Sequence, residues 1–278
     1  MAHSETQMRL AVLGAGKMGG ILIEALVKQG LVSPQNVFAT VQHSGHDRKN
    51  GTKLPVALGG DNRAAARKAD VIFLCVKPQT VGHVVDEIRG ELNEKKLLIS
   101  IAASVPTDYI ERRVRGKVSV IRAMPNTPSM VGAGITAISP GKFAGEKDIE
   151  TARRLFDAVG KTVVVDEKHM DAVTGLSASG PAFIYIILES LAEGGVKVGL
   201  SRELATLLAA QMALGAAKMV VETGHHPALL KDTVTTPAGC TIDGILELEE
   251  GGLRVTLIKA VVKAAQRAKE LLVTDESA

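Results

Sequence analysis

Through residues 1–165, short β-branched runs alternate with helix-periodic stretches, and no other feature restricts the fold of this chain as much. Candidate strands are Leu10–Leu13, Val37–Val41, Val71–Val76, Leu97–Ala102 and Val118–Arg122, then Ile135–Ile138 and Thr162–Val165. Helical patterns lie between them at Met18–Gln29, Asn62–Lys68, Thr80–Arg89, Thr107–Val114 and Glu146–Val159. Such alternation builds βαβ units, whose parallel sheet is covered by helices on both faces. Right-handed crossovers then make a doubly wound α/β domain the expected topology.

From Lys168 onward the strand signal stops. Helical patterns follow at Met170–Leu176, Pro181–Val198, Arg202–Glu222, Pro227–Lys231, Ile242–Glu249 and Leu253–Leu272, with Ser201 placed to cap the third of them. The expected division is therefore an α/β domain, 1–165, and an all-helical domain, 166–278. Only six of the 48 residues from Thr174 to Val221 are charged. A helical half of this size has too little interior to hide two such apolar helices all round, so a second copy is expected to cover them. The alternative is a helix sandwiched within one chain.

The chain has 278 residues and 33 Lys+Arg against 30 Asp+Glu, a formal net charge of +3 that leaves no footprint for nucleic acid. Five Phe, two Tyr and no Trp offer little for base stacking either. Cys75 and Cys240 stand alone, without a CxxC or a Cys/His cluster, so no metal site or disulfide framework is expected. The reducing cytoplasm fits that usage. Met1 to Arg9 lacks the apolar core of a secretory signal and the basic face of a transit peptide. The least polar run, Ala205–Val221, holds Gln211 and Lys218 and is shorter than the ~20 residues of a bilayer span, so no membrane helix is expected.

Gly14-Ala15-Gly16-Lys17-Met18-Gly19 places G-x-G-x-x-G directly after the first strand and before the first helix. That context marks a dinucleotide site of the Rossmann type: Gly14 for the tight turn, Gly16 for approach of the pyrophosphate, Gly19 for helix–strand packing. The helix start adds N–H donors and a positive dipole end. An NAD site offers an acid after the second strand for the ribose 2′-hydroxyl, but here none occurs before Asp47. Thr40, Ser44 and Arg48 suit a 2′-phosphate instead, which favours NADPH over NADH; the alternative is a solvated loop. Cys75-Val76-Lys77-Pro78 and Ala102-Ala103 end later strands, where ligands of such folds sit. Asn62 is placed to touch adenine or ribose, or else to cap its helix.

Three segments go beyond a generic dinucleotide fold: Arg122-Ala-Met-Pro-Asn-Thr-Pro128, Thr174-Gly-Leu-Ser-Ala-Ser-Gly-Pro181, and Leu230-Lys-Asp-Thr-Val-Thr-Thr-Pro-Ala-Gly-Cys-Thr241. In this order they closely resemble the pyrroline-5-carboxylate reductases, from Gly14 to about Glu270. The resemblance implies an N-terminal Rossmann domain and a helical domain that interlocks with a partner chain, in dimers that often assemble into rings of five. It implies reduction of 1-pyrroline-5-carboxylate to L-proline with NADPH or NADH. It assigns the cofactor to Gly14–Gly19, Thr40, Asn62, Cys75–Pro78 and Ala102–Ser104, and the substrate to the Thr233–Thr241 loop, supplied by the partner. Two positions depart from the pattern: Ala238 stands where Gly is usual, and Cys240 where Thr or Ala is. If position 238 needs positive φ, alanine strains the loop by about 1 kcal/mol. Cys240 reads as a small buried spacer.

Reducing a carbon–nitrogen double bond requires a close donor ring, a proton for the nitrogen and an anchor for the substrate carboxylate. The 233–241 segment, with Thr233, Val234, Thr235 and Thr236 leading to a helix near Thr241, suits the last two. Backbone N–H groups of Gly239, Cys240 and Thr241 form an anion site without an Arg, and none occurs between Lys231 and Arg254. Thr241 is the candidate catalytic residue, relaying a proton from water to the nitrogen or orienting an imine already protonated; the alternative is a plain helix cap. Ser177 is a candidate for the substrate, while Ser179 or Gly180 caps the helix at Pro181. Asn126, stiffened by Pro125 and Pro128, holds the nicotinamide amide or forms an Asx turn. His169, His225 and His226 are not read as catalytic; His225-His226-Pro227 looks like a surface helix start, with no carboxylate spaced to orient either ring. Competing readings are another imine or 3-hydroxy acid reductase, whose catalytic Lys finds no motif at Lys168, Lys197 or Lys218, and an NADPH sensor without chemistry.

Overall fold

The computed structural model describes residues 8–41 and 54–271. They form two compact units, one from the described residues of Met1–Ala178 and Ala264–Ala278, the other Ser179–Lys263. The units divide after Ala178, later than the expected break at 165, and the end of the last helix belongs to the first unit.

The first unit is an eight-stranded sheet in the order β3-β2-β1-β4-β5-β6-β7-β8. Its strands are β1 (Leu10–Leu13), β2 (Val37–Thr40), β3 (Leu58–Gly59), β4 (Val71–Leu74), β5 (Leu97–Ser100), β6 (Ser119–Met124), β7 (Gly134–Pro140) and β8 (Gly160–Val164). All pairs are parallel except β6–β7. The link between those two holds only a 3-10 turn, Thr127–Val131, and is too short for a parallel crossover. The two-residue β3 carries no periodic signal and was not expected.

Side chains alternate across the sheet and feed two separate cores. Leu10, Val12, Phe73, Ile99 and Ile121 meet α1 (Lys17–Lys28) and α5 (Glu146–Asp157) on one face. Ala11, Leu13, Ile72, Leu74, Leu98 and Val120 meet α2 (Asn62–Lys68), α3 (Pro78–Ile88) and α4 (Thr107–Glu111) on the other. Near-continuous apolar runs such as Val71–Leu74 exist because both faces are dry. Phe73 and Phe156 stack edge to face with centroids 5.6 Å apart. Short α6 (Met170–Val173) and a π-helical turn, Thr174–Ala178, end this part of the chain.

The second unit contains α7 (Gly180–Lys197), α8 (Arg202–Thr223), α9 (Pro227–Val234), α10 (Cys240–Glu250) and the first part of α11 (Leu253–Glu270). Ser201 caps α8 as expected, accepting from the Leu204 N–H at 3.3 Å. Helices α7 and α8 approach over small residues, among them Ala192, Ala205 and Ala209; a Cβ on Gly195 would lie 2.9 Å from that of Ala205. Their larger apolar side chains are exposed in the single chain, including Tyr185, Ile186, Leu207, Leu208, Met212 and Leu214. By length and composition alone, Glu167–Lys197 and Arg202–Thr223 could cross a bilayer, each holding an 18-residue window of mean hydropathy 1.3 and 1.6 respectively. Helix α8 extends past the apolar run because Arg202, Glu203 and Thr223 continue it at its ends.

Candidate active site

Strand β1 delivers the glycine motif to the carboxyl edge of the sheet. Gly14 turns there with φ of +89°, and its N–H and that of Ala15 donate to the Thr40 carbonyl at 3.1 and 2.7 Å. A Cβ on Gly14 would lie 2.8 Å from the Cys75 carbonyl oxygen and from Val76 Cγ1. A Cβ on Gly19 would lie 2.9 Å from the Gly14 carbonyl oxygen. Gly16 is different: the nearest atom to a Cβ there is 4.0 Å away. The glycines at 14 and 19 are thus needed by the fold, whereas packing sets no such demand at Gly16. Gly16 is the N-cap of α1 and brings no capping side chain, so the first-turn N–H groups of Lys17, Met18 and Gly19 form a bare positive helix end. These residues fit the pyrophosphate of a dinucleotide, by backbone donors and a cradle that a side chain would fill.

Beside this turn opens a cleft of about 610 Å³. It gathers Gly14, Gly16, Thr40, Asn62, Cys75, Val76 and Lys77 from the candidate residues. Ala15, Lys17, Met18 and Pro78 adjoin these in sequence but do not line it. Pro78 opens α3 at its first position, and exposed Lys77 is that helix's N-cap. Asn62 is not a helix cap: Asp61 takes that role, accepting from Ala64 N–H at 2.9 Å. Asn62 instead accepts from Thr40 Oγ1 at 2.7 Å through Oδ1 and donates from Nδ2 to Glu87 Oε2 at 2.8 Å. Burial pushes the half-buried Cys75 thiol up from its ordinary value. Ser44 and Arg48, expected near the 2′-phosphate, lie outside the described residues.

Thr80, His83 and Glu87 also line the cleft and were missed. All three lie on α3, whose other face buries Val81, Val85 and Ile88. The signal that could have found them is a polar stripe at i, i+3 and i+7, on a helix beginning where a strand ends.

Further candidates sit elsewhere, all but Ser179 in the first unit. Ala102 is buried after β5, and Ser104 holds φ of +60° while its Oγ donates to the Ala268 carbonyl at 2.8 Å. Ala103, between them, packs against the small cluster of Met124, Ala137 and Met170. Asn126 makes no Asx turn. Its Oδ1 accepts from Ile135 N–H at 3.0 Å and its Nδ2 donates to the Ser177 carbonyl at 3.2 Å, joining β7 to the π turn. The Ser177 hydroxyl donates to the Val173 carbonyl at 3.1 Å. Ser179 occupies the N-cap position of α7 without a side-chain capping bond. Arg122 on β6 is buried, which its place at a candidate strand end did not suggest; it pairs with Glu167 at 3.6 Å and Asp171 at 3.4 Å.

In the second unit, the 233–241 segment spans the end of α9, a turn and the start of α10. Thr233 and Val234 are helical, and Thr235 ends the helix. The hydroxyls of Thr233 and Thr235 donate to the carbonyls of Leu230 and Lys231 at 2.6 and 3.0 Å. Ala238 takes φ of +53°, the left-handed conformation that glycine prefers. The N–H of Gly239 donates to the Thr236 carbonyl at 3.0 Å, which corrects the expectation of three available amides. Helix α10 starts at Cys240, earlier than expected, with Gly239 as N-cap and Thr241 in the first turn. The amides of Cys240 and Thr241 therefore lie where a helix supplies no acceptor. Cys240 is exposed in the single chain rather than buried. Among the described residues no group of three or more His, Cys, Asp or Glu could hold a metal ion.

Residues 167–271 match the family described as pyrroline-5-carboxylate reductase dimerisation, and residues 9–104 match NADP oxidoreductase coenzyme F420-dependent. The chain is 44% identical to a pyrroline-5-carboxylate reductase of Methanosarcina acetivorans, over 95% of this chain and 97% of that one. It is 43% identical to one from Arabidopsis thaliana, with 95% of each covered. A crystal structure of the Plasmodium falciparum pyrroline carboxylate reductase with NADP bound superposes with TM-score 0.87 at 31% identity, covering 97% of this chain and all of that one. The Coxiella burnetii pyrroline-5-carboxylate reductase superposes at 0.88 and 36% identity, covering 97% of this chain and 100% of that one. With likeness of this extent in both sequence and fold, the chain belongs to the pyrroline-5-carboxylate reductase family.

Proposed function

We propose that this protein reduces 1-pyrroline-5-carboxylate to L-proline with NADPH, the last step of proline biosynthesis. The observation that carries the reading is the glycine turn that leads from β1 into α1, with no side-chain cap on that helix, in a chain that matches reductases of this substrate along nearly its full length. NADPH, when bound, supplies the hydride that the imine carbon gains while the nitrogen gains a proton. The chain binds and orients. Gly14–Gly19 hold the pyrophosphate, with Thr40, Asn62 and Cys75–Pro78 along the adenosine side. Ala102, Ala103 and Asn126 border the nicotinamide. The lack of an acid in the residues just after β2 favours a 2′-phosphate, so NADH is the weaker donor.

The 233–241 turn, with Thr233–Thr236, Gly239 and Cys240, holds the substrate, and the first-turn amides of α10 grip its carboxylate. The Thr241 hydroxyl relays a proton from water to the nitrogen, because a Thr hydroxyl is too weak an acid to donate outright. Ser177 contributes to the substrate side. In domain terms, 1–165 binds the dinucleotide, while 166–278 dimerises and binds substrate. The exposed apolar faces of α7 and α8 then meet a second copy rather than lipid, and the dimers assemble into rings of five. Two unpaired cysteines fit a cytoplasmic protein without nucleic-acid partners.

The test is loss of nicotinamide absorbance when pyrroline-5-carboxylate is added with NADPH. Oxidation of a 3-hydroxy acid faster than this reduction would overturn the reading. Thr241→Ala should lower kcat/KM for the imine on the order of 10²-fold while NADPH affinity holds. Equal rates would leave Thr241 a turn residue.

A further inference from the structure

Asn62, at the start of α2, is gripped from both ends. Its Nδ2 donates to Glu87 Oε2 on α3 at 2.8 Å, and its Oδ1 accepts from Thr40 Oγ1 on β2 at 2.7 Å. Thr40 Oγ1 lies 3.4 Å from the Gly14 amide, so the chain of contacts runs into the phosphate turn. All four residues line the same cleft. Glu87 is an unexpected occupant. A cleft built for a polyanion gains nothing in attraction from a carboxylate, which repels phosphate. Nor does packing require an acid there, since α3 buries Val84, Val85 and Ile88 without it.

Orientation is what a carboxylate supplies. An ionised carboxylate only accepts, so the partner of Glu87 must be the NH₂ end of the Asn62 amide. The amide oxygen is thereby turned to Thr40, and the one hydroxyl proton of Thr40 is spent on it. What remains for a ligand is the second N–H of Asn62 and the lone pair of Thr40 not turned to the Gly14 amide. A donor beside an acceptor is the complement of a sugar hydroxyl, which does both.

We propose that Glu87 is a positioning residue that fixes the polarity of the Asn62–Thr40 pair and, through it, the grip on the adenosine ribose shared by NADPH and NADH. This rests on reading the cleft as the dinucleotide site. Glu87→Gln keeps the shape but can donate or accept, which frees the Asn62 amide to turn over.

Calorimetric titration with NADPH and with NADH, on the full-length protein without substrate, is the deciding measurement. Both dissociation constants should rise by the same factor, on the order of tenfold, as for a lost hydrogen bond to a charged group. The Tm of the cofactor-free protein should stay within about 1 °C. In turnover, KM for cofactor should rise while kcat at saturation changes less than about twofold. Asn62→Ala should show the same loss, and the double variant no more than either single one, because the two side chains act as a unit. Unchanged affinity in Glu87→Gln overturns the proposal, as do additive losses. Tighter NADPH with weaker NADH overturns it too, by making Glu87 a charge felt at the 2′ position. A fall in cofactor-free Tm large enough to account for the affinity change reduces Glu87 to a tie between α2 and α3. A wild-type protein that binds neither nucleotide refutes the dinucleotide reading itself, a result distinct from all of these.

Discussion

Ala238 holds φ at +53°, where an L side chain crowds its neighbouring carbonyl at a cost of about 1–2 kcal/mol. Ala238→Gly is therefore expected to stabilise the chain by about 1 kcal/mol once the extra freedom of an unfolded glycine is subtracted. For a chain of this size that is roughly 2 °C in Tm by calorimetry, and an unchanged or lower Tm refutes it. The glycine motif separates into fold and function in the same way. Gly14→Ala meets positive φ and a carbonyl 2.8 Å away, so a loss of at least about 2 kcal/mol is expected. Gly16→Ala meets open space: cofactor-free stability should hold while NADPH binding weakens on the order of tenfold. Arg9 donates from Nε and its terminal nitrogen to both oxygens of Asp70, at 3.1 and 2.6 Å. That guanidinium holds the Asp70 carboxyl below its usual range, with the side-chain hydrogen bond as the main cause. A depressed folded pKa stabilises above the unfolded value near 4, and the contribution is lost as pH falls through the folded one. Both groups are about half exposed, so the gain is small and salt-screened; Asp70→Asn should flatten a shallow acid limb in stability against pH. At this scale the glycines were legible because their spacing is local. Glu87 was not, since its partner Asn62, and Thr40 beyond it, are distant in sequence.

Among the elements, every strand but β3 could be read from β-branched runs, though their ends could not. Helix α10 begins at Cys240 because Gly239 supplies an extended cap, and that one-turn detail decides which amides remain for an anion. Strand β6 shows the limit more sharply. In sequence Arg122 looks like the polar end of a strand, yet the folded strand runs to Met124 and buries it, paired with Glu167 and Asp171. Glu167 is itself held by Thr107, accepting from its N–H at 2.8 Å and its hydroxyl at 2.6 Å. Arg122→Met should destabilise by about 3 kcal/mol, because two carboxylates lose their shared cation in a partly dry site. Adding Glu167→Gln and Asp171→Asn should recover much of that loss in denaturant titrations. No recovery would mean that the arginine acts through packing instead. The π turn at Thr174–Ala178 likewise escaped notice, as its carbonyl at Ser177 is fixed by Asn126 from another element.

For the whole molecule, the most consequential property is apolar surface left uncovered on α7 and α8. Surface of this extent marks a binding face, and the matched dimerisation family identifies its partner as another copy. Light scattering without detergent should give a mass no smaller than twice the 29.2 kDa chain. Leu208, half exposed on α8, is a fair probe: Leu208→Glu should shift the protein toward monomer and lose activity with it. A wild-type monomer, or a protein that needs detergent, would overturn this. The sequence by itself determined the doubly wound half, the glycine turn and the division into an α/β and a helical part. Those rest on periodicity and on local backbone demands, which neighbours in the chain express. Only tertiary structure decided that Asp61 caps α2 and frees Asn62 for the cleft, that α3 turns Glu87 inward, and that Ala238 sits left-handed. Each depends on groups that meet only after long loops close, and no local pattern encodes which partners the closure will bring together.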